Sequence, residues 1–241
     1  MCGRFSLTLP VEAMGRLFGF PPDAAPELAP RYNIAPSQPV AVIRRRDDTL
    51  ARELVLMHWG FIPAWARDPE SMRQPINARG ETVAAKPMFR EAYRHHRCLI
   101  PADGFYEWKR SAGGKQPWRI QRADGAPFAF AGLWDRWKGR DGAVIESCAI
   151  LTTDANDTVR PIHDRMPVIL DIGRFGVWLE ASPVEASDAI EPYRGALEMF
   201  PVSRRINDPT QDDPDLIAPA SEDGAQTSPQ PTPDDPEPSL F

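Results

Sequence analysis

Between Cys98 and Asp154 the chain carries three glycine-bearing reversals, Ala112-Gly113-Gly114, Asp124-Gly125 and Asp141-Gly142, each flanked by apolar or β-branched runs. Glycine enters the left-handed turn conformation without steric cost, so this spacing predicts a middle region of successive antiparallel strands. Upstream, residues 40–44 and 53–58 read as two further strands joined by a turn around Asp47-Asp48, and 98–108 as a strand kinked at Asp103-Gly104. Residues 168–170 and 200–203 read as short strands near the end. Helical signals are brief and peripheral. Thr8 is placed to cap a helix in which Val11, Met14, Leu17 and Phe18 share one face and Gly19 follows the end. A second helical stretch starts after Thr82, breaks at Pro87 and resumes to about His95, and two short helices are expected near 175–181 and 184–193.

Composition sets the domain count. With 241 residues, 42% of them hydrophobic, the chain can bury a core of one large or two small domains. Its formal charge of -6 hides a division: residues 209–241 hold eight acids, eight prolines and no Lys or Arg, whereas residues 1–208 are mildly basic at +2. The reading is a folded unit over 2–208 followed by an acidic, proline-rich disordered tail over 209–241. Three cysteines without a CxxC pair, no signal peptide and no run of 18 apolar residues point to a reduced, cytoplasmic protein away from membranes.

Cys2 stands apart from the other two cysteines. If Met1 is removed, Cys2 presents a free α-amine and a thiol two carbons apart. An α-amine titrates near pKa ~8 and a lysine amine near ~10.4, so the terminal amine has the larger nucleophilic fraction at neutral pH by roughly two orders of magnitude. With an aldehyde the amine gives a Schiff base, and the thiol then closes a five-membered thiazolidine. On position alone, however, a small buried hydrophobe is the commoner role for a free cysteine.

Other polar residues each carry a plain alternative. Asn77 and Arg79 precede a helix start, where Asn can serve as a cap. Glu107 lies between Tyr106 and Trp108 in an apolar strand, and alternation alone sends it to water. His163 sits in the loop Pro161-Ile162-His163-Asp164-Arg165, a setting suited to acid–base work. Trp59 and Trp65 flank an irregular Gly- and Pro-bearing loop; burial as core plugs is the favoured reading over a stacking platform. His95, His96 and Cys98 lack metal-ligand spacing, and P-loop, dinucleotide and G-x-S-x-G motifs are absent, so neither metal nor cofactor is expected.

Six segments in order carry a resemblance: Met1-Cys2-Gly3-Arg4-Phe5, Arg31-Tyr32-Asn33-Ile34-Ala35-Pro36, Trp59-Gly60-Phe61-Ile62-Pro63, Ile76-Asn77-Ala78-Arg79-x-Glu81-Thr82, Gly104-Phe105-Tyr106-Glu107-Trp108 and Ile162-His163-Asp164-Arg165-Met166-Pro167. From residue 2 to about 208 the chain closely resembles the SOS-response-associated peptidase family. The resemblance implies a single α+β domain around a largely antiparallel, barrel-like β-sheet with peripheral helices. It also implies a protein of the DNA damage response that senses abasic sites in single-stranded DNA and crosslinks to them. The ring-opened sugar has an aldehyde at C1′, the carbonyl that the Cys2 chemistry requires.

Carried over by position, Cys2 is the expected nucleophile, Asn77 orients it, Glu107 moves protons and His163 is the general acid or base. Arg4, Asn33, Arg79 and Arg165 are expected at the DNA, with the arginines on phosphates. Pro36 and Trp65 are expected as wedges against bases at a single-strand to double-strand junction. Ala66 departs from relatives that carry a second Trp there. The expected partner is abasic single-stranded DNA, bound by a monomer associated with the nucleoid. Two other readings use the same residues: a thiol peptidase acting on its own Met1 or on peptides, and a non-covalent single-stranded DNA-binding module.

Overall fold

The computed structural model describes residues 2–46, 48–111 and 114–220. In chain order its strands are β1 (Phe5–Leu7), β2 (Arg31–Ile34), β3 (Pro39–Arg45), β4 (Arg52–Trp59), β5 (Asn77–Arg79), β6 (Arg97–Ala102), β7 (Gly104–Ser111), β8 (Gly114–Arg122), β9 (Phe128–Lys138), β10 (Val144–Asp154), β11 (Arg165–Pro167), β12 (Ile169–Leu170) and β13 (Leu197–Pro201). The helices are α1 (Val11–Phe18), α2 (Gly80–Val83), α3 (Arg90–His95), α4 (Ile172–Glu180) and α5 (Pro183–Ser187). None is long and apolar enough to cross a membrane.

Strands β10, β4, β3, β6 and β9 pair in that order, and β9 pairs again with β10, so the five close into a barrel. All these pairings are antiparallel except β10 with β4. β6 is buried at every residue and β9 at its first eight, the pattern of strands covered on both faces. Gly132 on β9 is required by this packing, because a Cβ there would lie 2.8 Å from Cys98 Sγ and 2.9 Å from Ile100 Cδ1. A second, antiparallel sheet runs β13-β8-β7-β1-β2. It docks on the barrel through edge-on aromatic contacts of Phe5 with Trp59 and Phe130, and of Phe105 with Phe130. The chain thus forms the expected α+β domain with a largely antiparallel, barrel-like sheet and peripheral helices.

Three local expectations are corrected. Thr8 does not cap α1; its N–H and hydroxyl both donate to Asp103 Oδ2, tying the end of β1 to the kink before β7, and Pro10 occupies the cap position. Asp124-Gly125 makes a turn, but not a hairpin. It leads from β8 in one sheet to β9 in the barrel, because the free side of β8 is taken by the distant β13. The third concerns the boundary at 209. Asp212 accepts from the backbone N–H groups of Tyr32 and Asn33 and from Arg31 Nε, and a 3-10 turn at Pro214–Ile217 buries Leu216 beside Tyr106, Val202 and Ile206. Residues 209–220 therefore pack on the sheet: their prolines and acids act as local turn and hydrogen-bonding residues around one apolar anchor, which average composition conceals. Asp47 and the Ala112-Gly113 part of the β7–β8 turn lie outside the described residues, as do Met1 and the remainder of the expected tail, 221–241.

Candidate active site and nucleic-acid interface

Antiparallel pairing of β1 with β7 brings the chain start to the acid. Phe5 is opposite Phe105, and Tyr106 N–H donates to Arg4 O at 3.0 Å, so each step back from Phe5 toward Cys2 follows β7 forward toward Glu107. β5 enters from the other direction, paired in parallel with β10, and Asn77 Nδ2 donates to the Cys2 carbonyl at 2.8 Å. Asn77 is thus a strand residue holding Cys2 rather than a helix cap. Its Oδ1 is buried and lacks a hydrogen-bond partner among the described residues.

His163 lies on the loop between β10 and β11, whose neck is closed by Ala155 N–H donating to Asp164 O at 2.9 Å. Four separate segments therefore supply Cys2, Asn77, Glu107 and His163, and all four lie along the seam between sheet and barrel.

The seam is dry. Cys2 is fully buried, and its Sγ lies 3.8 Å from Arg4 O. Burial, reinforced by the nearby Glu107 charge, drives the thiol well above the ordinary thiol range. Glu107 is 4% exposed, which overturns the alternation-based expectation that it faces water: β7 is an interior strand of its sheet, and at this position its inner side meets the seam. Burial pushes the Glu107 carboxyl up, with His163 pulling in the opposite direction. Glu107 thus interacts with both Cys2 and His163. His163 Nδ1 accepts from Arg165 N–H at 2.9 Å and lies equally close to Asp164 Oδ1.

The residues expected at DNA divide. Arg79 is exposed and, with Arg73, Pro75, Asn77, Lys86, Met88 and Phe89, lines a groove of about 290 Å³ that runs up to the site. Arg73 and Lys86 were not anticipated: neither stands in a motif, and Lys86, between α2 and α3, comes to the groove because α2 turns back against β5. Trp65 is 59% exposed, whereas Trp59 is fully buried with its indole N–H on Ile76 O, so one of the two tryptophans is a core plug and the other is not. The loop bearing Trp65 abuts the groove through the contact of Phe61 with Phe89. Pro36 is half-buried in a turn ahead of β3.

Asn33 is fully buried. Its Oδ1 accepts from Arg4, and its Nδ2 donates to Asp208 O and Gln211 O, so it fastens the C-terminal segment. Arg4 also donates to Ile206 O at 2.6 Å. Arg165 is engaged by Glu81 and Asp154. Ala66 is buried and its carbonyl accepts from the Trp137 indole. His96 stacks on Trp134 beside Asp135, and no group of three metal-ligating side chains occurs among the described residues.

A family model described as SOS response associated peptidase (SRAP) matches residues 1–209. The abasic site processing protein YoqW of Bacillus subtilis is 39% identical over 225 residues, covering 90% of this chain and 99% of YoqW. The abasic site processing protein YedK of Escherichia coli is 34% identical over 234 residues, covering 91% and 100%. A crystal structure of a protein from Bacteroides thetaiotaomicron superposes with a TM-score of 0.81 at 25% identity, over 91% of this chain and 100% of that one.

Proposed function

The chain belongs to the SOS response associated peptidase (SRAP) family, and from that premise we propose that it processes abasic sites in DNA, capturing them in single strands as a thiazolidine on Cys2 once Met1 is removed. In the encoded chain the Cys2 nitrogen is an amide, so removal of Met1 is the precondition. The freed amine adds to the C1′ aldehyde of the ring-opened sugar, and loss of water leaves a Schiff base. The thiol then adds across the C=N bond: sulfur bonds C1′ and its proton ends on nitrogen. Aldehyde and aminothiol give thiazolidine and water, with no oxidant or reductant.

The observation that supports this reading is the Asn77 hydrogen bond to the Cys2 carbonyl, which fixes the residue next to the Glu107 charge, itself opposed by His163. Burial favours the protonated form of Glu107, which suits a carboxyl that must deliver a proton to departing water. Once the amine is attached to C1′, closure is intramolecular, with effective molarities of ~10⁵ M or more. The cationic groove and the exposed Trp65 offer phosphate contacts and a stacking face, a combination suited to single-stranded DNA. A thiol held above its ordinary range is a poor thiolate nucleophile, which counts against a peptidase acting on other chains.

Abasic single-stranded DNA resolved on a denaturing gel tests the proposal. The wild type should give a heat-stable adduct, while Cys2→Ser retains amine chemistry and should give a labile adduct and strand cleavage. Equal heat-stable adduct from both proteins rejects the thiazolidine.

A further inference from the structure

We propose that Asp135, Trp137 and Ser147 are positioning residues that hold Trp65 in one place relative to Cys2, so that its exposed ring meets an unpaired base without first having to be ordered; this rests on Trp65 as the stacking face for DNA. Trp65 is the third residue of a hydrogen-bonded turn over residues 63–66, closed by Ala66 N–H donating to Pro63 O at 2.9 Å. A surface turn that presents its side chain to solvent is ordinarily among the more mobile parts of a protein. Here the backbone is pinned on each side of the tryptophan. Ala64 N–H donates to Asp135 Oδ2 at 2.8 Å, and Ala66 O accepts from the Trp137 indole N–H at 2.7 Å. Ahead of the turn, Ile62 N–H donates to Ser147 Oγ at 2.8 Å.

Strand register puts the three anchors together. Ser147 of β10 is directly opposite Asp135 of β9, and Trp137 is two residues further along β9, so all three side chains project from one face of the pair. Asp135 is buried in this position. Burial pushes its carboxyl up, but hydrogen bonds from His96 and from the Ala64 and Arg136 N–H groups outweigh that and hold it below the usual carboxylate range. The turn is therefore gripped by an ionised acceptor, and charge-assisted hydrogen bonds are the stronger kind.

The same strand carries the reaction centre. Gly60 N–H donates to Cys148 O at 3.1 Å and Ile62 N–H to Ser147, while Asn77, which holds the Cys2 carbonyl, pairs with Ile150. Stacking face and nucleophile are thus both tied to residues 147–150 of β10. A base on Trp65 is kept at one spacing from the sugar at Cys2, and the cost of ordering the tryptophan on binding is largely removed.

Binding is measured in a Cys2→Ala background, where abasic single-stranded DNA binds reversibly. Trp137→Phe, which cannot donate to Ala66 O, and Asp135→Ala are each combined with Trp65→Ala in a double-mutant cycle. Each is expected to raise Kd about threefold to tenfold when Trp65 is present and to leave it unchanged when Trp65 is already replaced. An equal loss in both backgrounds, or no loss in either while Trp65→Ala weakens binding, overturns the positioning role. Should Asp135→Ala fail to fold, Trp137→Phe decides the cycle.

Nitrogen-15 relaxation of the Trp65 backbone amide in DNA-free protein reads the turn directly. Wild type should show the order parameter of rigid backbone, about 0.85, and the variants a value below about 0.6. A mobile amide in wild type, or an unchanged one in the variants, overturns the proposal. A loosened amide in the variants, with Trp65→Ala binding DNA as tightly as its parent, supports the anchors and rejects instead the stacking role of Trp65. Neither readout depends on adduct chemistry, so failure of the thiazolidine reading leaves both standing.

Discussion

Around Cys2 the cations serve two different ends. On the β5 side, Arg73, Arg79 and Lys86 line a groove that contains no acid. The other cations around Cys2 are already engaged, Arg4 by Asn33 and Ile206 O and Arg165 by Glu81, Asp154 and Thr152 O. The same residue type thus attracts an external anion in one place and holds the protein together in the other. What decides between them is whether an acid or carbonyl already occupies the guanidinium, which no motif records.

Arg4→Ala is expected to have the largest effect and is the most direct way to break this division. It strips the donor from buried Asn33 Oδ1, at about 1–3 kcal/mol for a buried acceptor left unpaired, and leaves Ile206 O with only the 3.4 Å bond from Asn33 Nδ2. For a domain of this size that corresponds to a fall in Tm of about 2–4 °C per kcal/mol. A thermal melt that matches wild type, together with a large loss of DNA affinity, would move Arg4 to the groove side. Combined replacement of Arg79 and Lys86 by Ala should do the reverse. The melt should be nearly unchanged, and the salt slope for single-stranded DNA should drop by about 1.4, for two lost phosphate contacts. A slope equal to that of wild type would mean that the groove does not carry the strand.

How far the sequence foretold this arrangement follows the same division. The antiparallel strands were legible because they repeat one local signal, apolar runs bounded by glycine turns, as around Asp141-Gly142, whereas their closure into a barrel was implied only by the resemblance and the expected strand 98–108 divides into β6 in the barrel and β7 in the second sheet. Cys2, Asn77, Glu107 and His163 could be named through the resemblance of the motifs that carry them, although the local setting of each left a plainer alternative open. Their convergence could not, because it depends on β1 running antiparallel to β7 and β5 parallel to β10, pairings between residues far apart in the chain. Glu107 misled for the same reason: alternation says which residues share a face, but not which face is covered. Residues 209–220 misled because Leu216 is one apolar residue among many polar ones, and its burial depends on a pocket made by Tyr106, Val202 and Ile206.

Glu107 offers the subtlest test, since its burial should be unfavourable for stability whenever it is ionised. Its carboxyl titrates above the ordinary range because burial disfavours the charge. The folded state therefore binds a proton more tightly at this position than the unfolded chain does. The protonated acid is tolerated at low pH, and stability declines as pH rises from the unfolded pKa through the higher folded one. Glu107→Gln keeps the shape and cannot ionise, so it should melt like wild type at acidic pH and above it at pH 8, the gap opening across that interval. A lowered Tm at pH 8 would instead mean that the ionised carboxylate is stabilised by its neighbours, which would place Glu107 with the paired groups of the Arg4 and Arg165 side. The expected gain in stability, coupled to slower adduct formation on abasic DNA, would mark a charge retained in the seam for chemistry at the expense of the fold.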